Sequence, residues 1–239
     1  MTIKMKVRLN KHISSSGVTS RRKADDLILQ GRVEVNDEIV KKLGFLVDAE
    51  ADIIRVDGTE LKRTAKEYYM LYKPAGFITA VTDDRNRKTV VELIKTKGRI
   101  FPVGRLDYDT TGLLFLTNDG DFANLLMHPS SKIQRTYEVK LDKEIFENNV
   151  QRLLEGVVVD KKKRKFASVE LSPKNPRRVT VTCYEGINHF VKKMFKAIGF
   201  RVIKLKRTAF GHLTLEIMNP GDYRKLEKHE VNKFYSLKK

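Results

Sequence analysis

Residues 103–120 read VGRLDYDTTGLLFLTNDG, and the fold can be read outward from them. Leu113-Leu114-Phe115-Leu116-Thr117 is a short, continuous apolar run of the kind that forms a buried strand. Ahead of it lies a polar loop, residues 104–112, bounded by Gly104 and Gly112 and carrying Arg105, Asp107 and Asp109. Behind it, Asn118-Asp119-Gly120 predicts a tight turn, since Asp-Gly supplies the positive φ that such turns need. A loop that sets Arg beside Asp at the end of a core strand packs poorly, but a rigid strand can hold a carboxylate and a cation at fixed range. By residue type alone, the plainer reading makes Asp107 and Asp109 turn-formers and Arg105 a solvated neighbour.

The 239 residues suffice for one large domain, or a small one plus a medium one. With 41% hydrophobic and 33% charged residues the profile is globular. Lys and Arg number 48 against 30 Asp and Glu, a net charge of +18. Folding does not ask for such a surplus; displacing counterions from a polyphosphate backbone does. An anionic membrane surface is the weaker alternative, because no basic amphipathic anchor and no apolar run of spanning length is present. A single cysteine, Cys183, excludes an internal disulfide and a Cys-cluster zinc site, and its alternating surroundings suggest a buried thiol. The five histidines show no metal-ligand spacing, so no metal is expected. The MTIKMKVRLN start lacks a signal-peptide stretch, which makes the cytoplasm the expected location.

Along the chain, Leu9 and Ile13 share a helical face that Gly17 can end, and Ser20 is placed to cap a second helix over residues 21–30. Arg21, Arg22 and Lys23 crowd the first turn of that helix, where its dipole disfavours cations, so an anionic partner explains them better than helix stability. Residues 33–47 and 53–61 predict short strands with turns at Asn36-Asp37 and Asp57-Gly58. The polar stretch 62–66 marks a boundary, giving domains 1–64 and 65–239. Beyond it the pattern predicts strands at 68–72, 77–80, 133–141, 157–159, 200–205 and 213–217. Helices are expected at 89–94, 122–127, 145–154 and 189–198, with a terminal one from 220 on. The loop 83–88 is charged and expected to move. The cation run Lys161-Lys162-Lys163-Arg164-Lys165 is a solvated hairpin tip first and an RNA contact second.

Two resemblances sharpen this reading. G-R-L-D followed by T-x-G-L-L and T-N-D-G, together with the Lys73-Pro74-Ala75-Gly76 turn, resembles the bacterial ribosomal pseudouridine synthases of the RsuA/RluB type. The order R-L-N-K-x-I, G-x-x-S-R-R-x-A and G-R-V-x-V-N within residues 7–36 resembles an S-four-type RNA-binding domain. Together they imply an α+β protein: a small α/β RNA-binding domain, then a synthase domain with a mixed or antiparallel sheet flanked by helices. They also imply ribosomal RNA as partner, free or in an assembly intermediate, no membrane, a monomer, and isomerisation of a uridine without a cofactor. Arg8, Lys11, Arg21, Arg22, Lys23 and Arg32 would meet RNA phosphates, fixing position rather than reading sequence.

By the same resemblance Asp107 is the catalytic aspartate, adding to the base, attacking C1′ or taking a sugar proton. A buried carboxylate needs a nearby cation to stay ionised. The family supplies one from a helix matching His189-Phe190-Val191-Lys192-Lys193-Met194, where Lys192 takes the partner position, although solvent exposure suits that lysine as well. Phe190 stands where the family usually has Gln, and Ile187 where it often has Arg. Tyr137 matches the family's active-site tyrosine, whose ring would stack on uracil, while a cross-strand aromatic is the plainer reading. Arg105 would hold the flipped nucleotide's place or its backbone. The rival readings are a non-catalytic ribosome-assembly factor and a metal-dependent nuclease using Asp107, Asp109 and Asp119.

Overall fold

The computed structural model describes residues 6–215 and 217–236. The described residues form two compact units, one built mainly from residues 6–67 and the other mainly from residues 68–236.

In the first unit, β1 (Lys6–Arg8) leads into α1 (Leu9–Ser15) and α2 (Arg21–Leu29). Leu9, Ile13, Ala24 and Ile28 fall on the facing stripes of the two helices and are buried. The Ser20 hydroxyl accepts the Lys23 N–H, which caps α2 as its sequence requires. A short strand β4 (Leu46–Asp48) and four that form a sheet follow: β2 (Val33–Val35), β3 (Glu38–Ile39), β5 (Ile54–Val56) and β6 (Thr59–Glu60). Their sheet order is β3-β2-β5-β6, with positive φ at Asn36, Asp37, Asp57 and Gly58 in the turns. The strand β1, which the sequence did not announce, pairs with β4.

The second unit is a nine-stranded mixed sheet. Its strands are β7 (Tyr68–Lys73), β8 (Phe101–Val103), β9 (Thr111–Thr117), β10 (Arg135–Leu141), β13 (Ser168–Leu171), β14 (Arg178–Cys183), β15 (Val202–Phe210), β16 (Leu213–Thr214) and β17 (Tyr223–Lys225). A separate hairpin, β11 (Val157–Val159) and β12 (Lys162–Arg164), leaves the sheet. The order is β13-β14-β10-β15-β9-β7-β17, and within it only β15 and β9 run parallel. The helices are α3 (Gly120–Met127), α4 (Glu147–Glu155), α5 (Phe190–Ala197) and α6 (Lys228–Ser236). Phe122 of α3 and Phe234 of α6 close on Phe115 and Phe210 of the sheet to form the main core.

Several expectations are corrected. Asn118-Asp119-Gly120 is not a positive-φ turn: Gly120 opens α3, and Asp119 stands at the position before it, where Asp suits an N-cap. Residues 77–80 make a single bridge, Ile78 to Thr89, rather than a strand. The segment after Pro220 forms β17 before its helix. The cation run is mostly strand β12, and the tip is Asp160-Lys161, both at positive φ. Within the loop 83–88 the Asp83 carboxylate accepts from Arg87 and from the Arg85 N–H, which orders the loop's own turn. Residue 216 of the expected strand and residues 237–239 of the terminal helix lie outside the described residues. No helix among the described residues is long and apolar enough to cross a membrane.

Candidate active site

The loop between β8 and β9 is pinned from beneath by Lys73, the last residue of β7. An alternating or apolar strand seldom ends in a fully buried lysine, yet Lys73 is 0% exposed. Its ammonium donates to the carbonyls of Asp107 at 3.0 Å, Thr110 at 2.9 Å and Pro74 at 3.1 Å. The Thr79 hydroxyl donates to the Leu106 carbonyl at 2.7 Å, and the Gly76 N–H to the Tyr108 carbonyl at 2.9 Å. The Lys-Pro-Ala-Gly turn is therefore the buckle of the loop. Burial lowers the Lys73 pKa to about 8, against the opposing pull of Asp109 and Asp107.

Gly112 ends the loop where β9 meets β15. Its φ is +118°, and a Cβ there would stand 2.2 Å from the Arg207 carbonyl oxygen. Only glycine admits this approach, which brings the loop against β15.

Held this way, Asp107 faces the first turn of α5. Its Oδ2 lies 2.9 Å from Lys192 Nζ and 3.2 Å from His189 Nδ1. The same ammonium reaches Asp109 Oδ1 at 2.8 Å, so one cation bridges two carboxylates. Burial works against the Lys192 charge, but hydrogen bonds to Asp109 and Asp107 outweigh it and raise its pKa. The Lys192 hydrogen bond holds the Asp109 carboxyl below the usual carboxylate range. His189 precedes α5 at a φ of +55° and Lys192 lies in the first turn, while Phe190, Val191, Met194 and Phe195 bury the helix's other side.

Beside Asp107 opens a cavity of about 390 Å³, a size suited to a small ligand. Arg105, Asp107, Tyr137, His189 and Arg207 are among its walls. Tyr137 is buried on the inward row of β10 with Arg135 and Val139, and burial pushes its phenol pKa up. Arg105 is exposed. Phe190 and Ile187 also line the cavity, and Phe190 packs edge-on against Phe166. Cys183 is buried, its thiol pKa pushed up to about 12 by desolvation.

Thus Asp107 and Tyr137 share a cavity, and Lys192 touches the first of them. Lys73, His189 and Arg207 were not foreseen. The signal for Lys73 was available, a lysine closing the apolar run Tyr68-Tyr69-Met70-Leu71-Tyr72. In the first unit, Arg8, Arg21, Arg22, Lys23 and Arg32 are exposed and Lys11 is half-buried. Arg32 forks onto Asp57 through two bonds of 2.7 Å, so its guanidinium already has an anionic partner. The nuclease arrangement finds no support: Lys192 occupies the space between Asp107 and Asp109. Among the described residues no three His, Cys, Asp or Glu are placed to hold a metal ion.

Comparison with known proteins puts this arrangement, a mixed sheet with a carboxylate loop beside a basic helix, among RNA-modifying isomerases. Residues 67–197 match the RNA pseudouridylate synthase family and residues 7–54 the S4 domain. The chain belongs to the RNA pseudouridylate synthase family. It is 43% identical over 235 residues to the ribosomal large subunit pseudouridine synthase B of Bacillus subtilis (strain 168), covering 96% of each chain. It is 41% identical to an uncharacterized RNA pseudouridine synthase of Aquifex aeolicus (strain VF5), covering 97% of this chain and 94% of that one. A crystal structure of a pseudouridylate synthase superposes with a TM-score of 0.69 at 32% identity, over 95% of this chain and 99% of that one. The chain is thus an isomerase with an N-terminal S4 domain and a synthase fold.

Proposed function

We propose that this enzyme converts a uridine of ribosomal RNA to pseudouridine with Asp107 as the catalytic carboxylate. The observation that carries this is the Asp107 carboxylate on a nucleoside-sized cavity, 2.9 Å from the Lys192 ammonium. The reaction breaks N1–C1′, turns the freed uracil and joins C5 to C1′, with no change of oxidation state. The Lys192 ammonium, 2.9 Å away, supplies the countercharge that fixes the Asp107 carboxylate in place. Tyr137 offers its ring to the uracil, and Arg105, at the rim, holds the backbone of the flipped nucleotide. Residues 1–64 act as the RNA-docking domain, with Arg8, Lys11, Arg21, Arg22, Lys23 and Arg32 toward phosphates, and residues 65–239 as the catalytic domain. The large-subunit relative favours large-subunit rRNA as the substrate. The enzyme acts on it as a monomer in the cytoplasm, on a transcript or an assembly intermediate.

The test uses transcripts of both ribosomal RNAs, tritiated at C5 of uridine. The expected result is tritium release from large-subunit RNA alone, at one mapped position, with the RNA left uncut. Release from small-subunit RNA alone would reassign the substrate; tight binding without release from any transcript or assembly intermediate would point to a binding factor.

A further inference from the structure

We propose that Arg207 is a second catalytic residue of this isomerisation. Its guanidinium donates to a carbonyl oxygen of the uracil and takes up the charge the base gains when its bond to the sugar breaks. The inference rests on the synthase reading above and adds a role for the base that Asp107 and Lys192 do not fill.

Arg207 stands opposite Tyr137 in the β10–β15 pairing, is 3% exposed, and lines the cavity with Asp107. Its Nε donates to the Leu113 carbonyl at 2.7 Å, which fixes the plane of the guanidinium. The guanidinium also interacts with the Tyr137 phenol, but its Nη2 is buried with no hydrogen-bond partner among the described residues. Arg135, the other buried guanidinium on the cavity wall, provides the contrast. Both stack on the Phe210 ring, at 4.7 Å for Arg135 and 5.0 Å for Arg207. Arg135, however, donates to the Tyr184 carbonyl at 2.7 Å and the Leu126 carbonyl at 3.1 Å, so the fold uses its donors. A buried cationic donor left unpaired is costly, and such groups mark places where a ligand completes the hydrogen bonding.

The chemistry calls for such a donor whichever way Asp107 begins. When N1–C1′ breaks, the bonding pair leaves with the base and spreads from N1 to O2 and O4. If Asp107 first adds to the ring, the charge likewise appears on a carbonyl oxygen. When C5 then bonds to C1′, the pair comes from the uracil anion, C5 loses its proton, and N1 takes one up. The base is neutral at both ends of the reaction and anionic only between them. A fixed, water-shielded N–H aimed at that oxygen acts chiefly on the transition state.

The experiment compares wild type, R207Q and R207K on the rRNA transcript that wild type modifies, with uridine or 5-fluorouridine at the modified site. Loss of the N-linked nucleoside is followed by nuclease digestion and mass spectrometry. Fluorine at C5 stabilises the uracil anion, so cleavage should depend less on the protein's donor. R207Q is expected to lower kcat on uridine by about 10²-fold, but on 5-fluorouridine by less than about tenfold, with RNA affinity unchanged. R207K, which keeps one donor, should fall between on both substrates. Equal losses on the two substrates, or a loss confined to KM, would overturn the role. Should R207Q fail to fold, the uridine-to-fluorouridine gap in R207K decides by the same criterion. If wild type consumes neither nucleoside in any rRNA, the synthase reading itself fails and takes this one with it.

Discussion

The ammonium of Lys192 lies 2.9 Å from Asp107 and 2.8 Å from Asp109, and the imidazole of His189 closes on Asp107 from 3.2 Å. Removing that cation leaves both carboxylates without the partner that holds them, so Asp107 loses its fixed position. K192M is therefore expected to lower kcat by about 10²-fold or more while leaving RNA affinity nearly intact, and K192R to recover part of it; single-turnover kinetics reads both. A second prediction concerns Lys73. With its pKa lowered to about 8 by burial, its ammonium is intact below that pH and lost above it. Activity should fall as pH rises through about 8, because a neutral amine holds the three loop carbonyls less well and withdraws positive potential from the site. K73M should lack this alkaline limb and should destabilise the fold by about 3 kcal/mol in urea denaturation, through carbonyls left unpaired. Asp107, Lys192 and Tyr137 were legible because local motifs carry them. The apolar run that Lys73 closes hinted at its burial, but its partners in a loop 34 residues later, like the place of Arg207, depend on which strands become neighbours.

Among the elements, β9 and the loop before it decide the site. The apolar run of residues 113–117 does form a strand, fully buried as its composition required. What the pattern could not reveal is that β9 pairs in parallel with β15, with Gly112 opposite Arg207. G112A tests this directly. The new methyl group would stand 2.2 Å from a backbone oxygen at a φ of +118°, so β9 or β15 must shift. The expected outcome is a loss of about 3 kcal/mol or more and of activity with it, whereas G199A, also at positive φ but with no neighbour within reach, should cost about 1 kcal/mol and spare activity. The misread turn at residues 118–120 has a local cause. Asp-Gly serves both a hairpin and a helix start, and the apolar spacing of Phe122, Leu125 and Leu126 settled it as a helix start.

At the scale of the whole molecule, a net charge of +18 was the first pointer to a nucleic acid, and it predicts strong salt dependence of binding. Replacing Arg21, Arg22 and Lys23 together by Gln should weaken RNA binding uniformly across sequences and reduce the slope of log affinity against log salt by about 2 to 3. Their exposed position on the first turn of α2, where no acidic residue offsets them, makes a change in folding stability small. The division into an RNA-binding unit and a synthase unit was readable because each carries dense contiguous motifs, while strand order was not, being set by packing between distant segments. Catalysis turns on one carboxylate, and the direct measurement is tritium release from C5-labelled large-subunit rRNA by wild type and D107N at matched RNA occupancy. Release by wild type and none by D107N, with equal RNA affinity, is the predicted result; release that persists in D107N would contradict it.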